Sequence, residues 1–140
     1  LTVEEAREAP GLRLVLTAGV PGPWGESAKA IFAHKGISFL PVFQEGGGAN
    51  EALADWTGQT SAPVAVLDDQ PPVSHWLDIL HLAERMAPER ALVPEDPGTR
   101  SEVLGLSALI AGVDGVFRSG FHCVLSVLFV TNREDEMVLF

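Results

Sequence analysis

Few residues in this chain have the types and spacing that chemistry requires. The four histidines (34, 75, 81 and 122) and the single cysteine, Cys123, form no zinc-ligand spacing. His75 and His81 fall on different parts of any helix that carries both. There is no Cys-x-x-Cys, which excludes dithiol exchange. Gly46-Gly47-Gly48 lacks the leading strand and the trailing Lys-Ser or Lys-Thr of a phosphate loop. Asp68-Asp69 with Glu51 and Asp55 reads as solvated loop rather than a cation site, and no arrangement supports a Ser-His-Asp reading. Cys123 lies among apolar residues and reads as a small hydrophobe. What remains is position. The order strand, helix, strand, strand pair, helix between Gly11 and Pro88 implies a small α/β domain with a ligand site at one strand end. Gly22 stands where a nucleophile would be sought.

The elements that must position such a site follow from periodicity and breakers. Leu12 to Thr17 reads as a largely buried strand. Val20-Pro21-Gly22-Pro23 is a turn. A helix from about Trp24 to His34 has Ala28, Ile31 and Phe32 on one face; Gly36 ends it, with Lys35 placed against the helix dipole. Ile37 to Phe43 reads as a strand that Pro41 confines to an edge. Gln44 to Ala49 is a loop, and Glu51 to Trp56 a short helix closed by Gly58. Pro63 to Leu67 is the clearest strand, followed by a tight connection and a short strand at Pro72-Val73. Ser74 is the expected N-cap of a helix burying Leu77, Leu80 and Ala83, widened by Ile79, Leu82 and Met86. Prolines 88, 94 and 97 mark a linker. A further helix opens at Asp96 or Thr99 and runs to about Val113, with Val103, Leu106, Ile110 and Val113 on one face. Residues Leu1 to Pro10 read as a ragged leader. The apolar run from Cys123 to Thr131 prefers strand, and the tail fits either a hairpin or a continuing helix.

Composition narrows the function classes. The chain has 140 residues, enough for one domain with a real core, and 46% of them are hydrophobic. Its formal charge is −10, with no basic stripe to neutralise phosphates, which argues against nucleic acid and an anionic membrane surface. A lone cysteine forbids an internal disulfide and fits a reducing, cytoplasmic setting. No signal-peptide pattern or membrane-length apolar run is present. A first residue of Leu rather than Met suggests a fragment or a processed chain.

Three segments, taken in order, resemble the N-terminal, thioredoxin-like domain of the glutathione S-transferase superfamily. Gly22-Pro23-Trp24-Gly25-Glu26 with Ile31-Phe32-Ala33-His34-Lys35-Gly36-Ile37 resembles the family's active-site turn, first helix and Lys-Gly-Ile exit. Ser61-Ala62-Pro63-Val64 resembles the segment that holds its cis-proline. His75-Trp76-Leu77-Asp78-Ile79-Leu80-His81-Leu82-Ala83-Glu84-Arg85 is similar to the helix closing that domain, and residues 99 to 113 to the first helix of its all-helical second domain. The resemblance implies a thioredoxin-like α/β domain (βαβ then ββα) at 11–88. A linker at 89–98, the start of an all-helical domain at 99–115 and a divergent tail at 116–140 follow.

The same resemblance implies glutathione as ligand and possible co-substrate, and a homodimer. The backbone of Ala62, before Pro63, would pair with the peptide as an added strand does. Pro23, Trp24, Ser74 and His75 are the other candidate contacts. The departures matter equally. The family's Cys, Ser or Tyr position is lost at Gly22, and the nearest hydroxyls are Thr17 and Ser27, the candidate donors to a thiolate. Where the family has an acidic residue and Ser at the closing helix, this chain has His75-Trp76. Ser74 lies slightly early, and Trp76 is expected to pack. The leading expectation is a glutathione S-transferase-like protein that binds glutathione, with possible conjugation of its thiolate to an electrophile. The alternatives are a non-catalytic interaction module and a truncated, non-functional product.

Overall fold

The computed structural model describes residues 1–19 and 21–112, together with the strand backbone at 130–131 and 137–138. Strand β1 (Leu12–Thr17) lies at the centre of a three-stranded sheet. Strand β2 (Leu40–Gln44) pairs parallel to it, with Val15 opposite Val42, and β3 (Val64–Leu67) pairs antiparallel, with Val15 opposite Val64. Pro41 does sit on an edge strand, where its missing N–H breaks no ladder. Val73 adds an isolated bridge outside β3: its N–H donates to Ala65 O at 2.9 Å and its carbonyl accepts from Ala65 N–H at 2.8 Å.

Side-chain alternation along β1 and β3 divides the core by face. Leu12, Leu14, Leu16 and Ala65 pack with Ala28, Ile31 and Phe32 of helix α2 (Pro23–Lys35) and with Ile79, Leu80, Leu82 and Ala83 of α4 (Trp76–Met86). Val15, Val64 and Val66 pack with Val42, with Leu53 of α3 (Glu51–Thr57) and with Ala6 of α1 (Val3–Glu8). Arg13 is buried on β1. Its guanidinium lies 5.6 Å from the Trp56 ring centre and donates to the carbonyls of Gly11 at 2.8 Å and Asp68 at 2.9 Å.

Two expectations need correction and two need extending. The first ten residues are no ragged leader. Thr2 and Glu5 form a reciprocal capping box, and the resulting helix buries Ala6 completely. Ser74 is not the N-cap of α4; His75 holds that place, without a side-chain cap bond, since the Val73 bridge keeps the preceding chain extended. Lys35 does more than complement a helix end. It is buried, its Nζ 2.7 Å from a Glu84 oxygen on α4 and 2.9 Å from Ala87 O. Finally, α5 (Pro97–Ala111) does not bury Leu106, which is 62% exposed; Leu104 is the side chain that reaches the core.

Helix α5 opens at Asp96, whose carboxylate accepts from Thr99 N–H at 2.8 Å; that bond holds the Asp96 carboxyl below its ordinary range. Between α4 and α5 lies a 3₁₀ turn, Pro88–Arg90. The Ala62–Pro63 peptide is cis. Val130–Thr131 pairs antiparallel with Met137–Val138. The readings of Val113, Cys123 and the apolar run before Val130 fall outside the described residues. Among the described residues no helix is long and apolar enough to cross a membrane.

The Lys35–Glu84 pair ties α2 to α4, and its effect is testable. Removing one partner of a buried pair leaves a charge without compensation, a loss of about 3–5 kcal/mol. Glu84→Leu is expected to lower the urea midpoint strongly, and adding Lys35→Met is expected to restore much of the loss. Equal midpoints for wild type and Glu84→Leu would show that the pair is not needed to hold α2 on α4.

Candidate functional site

The C-terminal end of β1, the start of α2 and the chain before β3 meet around a pocket of about 300 Å³. Its lining includes Thr17, Gly22, Trp24, Glu26, Lys29 and Ala62. Each is placed by a local rule. Thr17 is the last residue of β1, emerging half-buried from the core. Gly22 is the N-cap of α2 and Pro23 its first residue, where a missing N–H costs nothing. Gly22 itself supplies no side-chain cap, and the aligned backbone dipoles at the opening of α2 favour an anion. Gly25 permits the close approach of α2 to β1: a Cβ there would lie 3.3 Å from Leu16 Cδ2.

Electrostatics at the rim are balanced. Lys29 Nζ lies 2.6 Å from Glu26 Oε1, one turn away, with both side chains 39% exposed. Such a pair contributes little to stability, but it places a cation beside the opening of α2. Thr17 Oγ1 accepts from Gln44 Nε2 at 3.0 Å. Gln44 Oε1 in turn accepts from Asn50 Nδ2 at 2.8 Å.

The structure thus brings together four of the residues singled out in the sequence: Thr17, Gly22, Trp24 and Ala62. It does not bring Ser27, Pro23, Pro63, Ser74 or His75 into the pocket lining. Trp76 packs against the core, as expected. The sequence reading passed over Glu26 and Lys29, whose spacing of three on a helix following a breaker was the available signal. It also passed over Gln44 and Asn50, which only the tertiary fold joins to Thr17. Among the described residues, no group of three or more His, Cys, Asp or Glu gathers to hold a metal ion.

Gly22 offers a direct probe of the helix field. A Cβ there meets nothing within 4 Å, so a side chain fits. A Gly22→Cys thiol is expected to titrate below the usual value of about 8.5, read from thiolate absorbance against pH. A thiol at or above that value would mean that the opening of α2 does not favour an anion.

No family model matches the sequence, and no curated protein is similar to it at a significant level. Solved structures are similar. A glutathione S-transferase from Rhodospirillum rubrum superposes with a TM-score of 0.61 at 25% identity, over 69% of this chain and 43% of that one. A Tau class glutathione S-transferase from mango, Mangifera indica, gives 0.60 at 19% identity, over 70% and 44%. A glutathione transferase homologue from Sulfitobacter, with bound glutathione, gives 0.59 at 19% identity, over 72% and 49%. The chain therefore spans less than half the length of each of these three relatives.

Proposed function

From a chain with the thioredoxin-like α/β fold of the glutathione S-transferase structures, we propose that the pocket binds glutathione or a related small thiol peptide. The observation that supports this best is the convergence, around one pocket, of the opening of α2, Thr17 and Ala62. The first suits a thiolate, the second is a hydroxyl donor, and the third offers peptide N–H and C=O groups for strand-like pairing. A relative of the same fold carries glutathione. Trp24 lines the wall, and Pro23 and Pro63 adjoin the lining residues Gly22 and Ala62 in the chain. Ser74 and His75, at the entry to α4, take the ligand's γ-glutamyl end, where helix N–H groups suit a carboxylate. In a working transferase the bound sulfur, as thiolate, forms a bond to an electrophilic carbon while the leaving group departs with its electron pair. The setting is reducing and cytoplasmic, and the working form a homodimer.

A second reading is favoured by Gly22 and by His75-Trp76 at the entry to α4. On it, the pocket binds without conjugating, and the chain is an interaction module.

Calorimetric titration with reduced glutathione tests the binding. Saturable heat is expected by about 1 mM ligand, with Trp24→Ala weakening it about tenfold, or 1.4 kcal/mol. A cooperatively folded protein that gives no saturable heat would remove glutathione as the ligand. Binding without turnover of any electrophile would favour the interaction module.

A further inference from the structure

We infer that Gln44 and Asn50 fix the Thr17 hydroxyl as a hydrogen-bond donor to the thiolate of the pocket's ligand, an inference that rests on the glutathione reading of this pocket. It follows from the one-way polarity of a chain of amides. The backbone N–H of Glu45 can only donate, and it donates to Asn50 Oδ1 at 3.1 Å. The other end of that amide is therefore Nδ2. It lies 2.9 Å from Glu45 O, 3.1 Å from Gly48 O and 2.9 Å from Thr60 O, all of which can only accept. Nδ2 also reaches Gln44 at 2.8 Å, so Gln44 must present Oε1 there. Gln44 then turns Nε2 to Thr17 Oγ1 at 3.0 Å. The Thr17 oxygen accepts that bond, which leaves its proton for another partner, and Thr17 is among the residues that line the pocket.

The surroundings hold this chain in place. Gln44 is buried, so its amide must be satisfied at both ends, as it is. Asn50 adopts the left-handed conformation, φ 46°, which asparagine tolerates better than most residues. In that conformation it serves the loop rather than capping α3. Gly46 closes over the other side of Thr17, where an added Cβ would come within 3.1 Å of Thr17 Cγ2. Methyl and hydroxyl of Thr17 are thus assigned to different neighbours. A donor set against a thiolate favours the charged form and lowers the thiol's pKa. Thr17 takes over, from the end of β1, a task that the backbone-only Gly22 cannot perform with a side chain. Gln44 and Asn50 are positioning residues that act through it.

The test reads the thiol pKa of bound glutathione from thiolate absorbance against pH, in the full chain. In wild type it is expected below the usual thiol value of about 8.5. Thr17→Val removes the donor. Gln44→Glu keeps the shape but puts an accepting oxygen against Thr17, which draws its proton away from the pocket. Each is expected to raise the bound thiol pKa by about one unit, a tenfold loss of thiolate at fixed pH. Affinity for S-methylglutathione, which has no thiol proton, reports separately whether the rest of the pocket is intact. Should Gln44→Glu fail to fold, Gln44→Met removes the orienting donor and is expected to shift the pKa in the same direction. Glutathione bound with the same thiol pKa in wild type and variants would overturn the inference and leave the glutathione reading standing. A folded wild type that binds neither ligand would overturn both.

Discussion

Strand β1 is covered on both faces, and this double burial governs the position of everything at its C-terminal end. Leucines 12, 14 and 16 face α2 and α4, while Val15 faces α1 and α3. A one-residue slip would exchange these sets and send leucines into the space occupied by small residues such as Ala6. The register with β2 and β3 is therefore fixed, and with it the height at which Thr17 leaves the sheet. The parallel partner β2 ends at Gln44, directly opposite Thr17. The side-chain bond between these two residues is thus a product of strand register, as is the backbone bond from Ala18 N–H to Gln44 O at 2.9 Å.

The helices are secured to this strand by different means. Helix α2 gains its apolar stripe from the core, and its C-terminal end is pinned by charge. Lys35 meets Glu84, and Glu84 also accepts from Leu92 N–H at 2.7 Å, so one carboxylate ties together α2, α4 and the segment leading to α5. Arg90 donates to His34 O at 3.0 Å beside the same helix end. With its far end held, the N-terminal end of α2 is presented to the pocket in a fixed direction. Helix α5 is different: Leu106 and Leu109 are 62% and 68% exposed, and none of its residues is buried.

Much of this was legible in the sequence wherever local chemistry decides. Breakers at Gly22-Pro23, Gly36 and Gly58 bracket α2 and α3 where they were expected, because proline at a helix start and left-handed glycine at its end act locally. The β-branched run after Pro63 is a strand for an equally local reason. Helix α1 was overlooked, although Thr2 and Glu5 spell a capping box, because its single buried residue is a small alanine amid charges. The burial of Lys35 was not legible, since Glu84 is brought to it only by helix packing. At the site, the resemblance carried by the Gly22-Pro23-Trp24 turn and the Ser61-Ala62-Pro63 segment pointed to Thr17, Trp24 and Ala62. Gln44 and Asn50 were hidden because their roles depend on strand register and on the fold-back of one loop.

The proposed ligand, a thiol peptide, would sit where β1, α2 and Ala62 meet. Amide NMR of the full chain, titrated with reduced glutathione, tests it most directly. The account predicts saturable shifts centred on Thr17, Trp24, Gly25 and Ala62, with the side-chain amides of Gln44 and Asn50 moving alongside. Saturable shifts confined to α5 or the α1 face, or a spectrum left unchanged by the ligand, would contradict it.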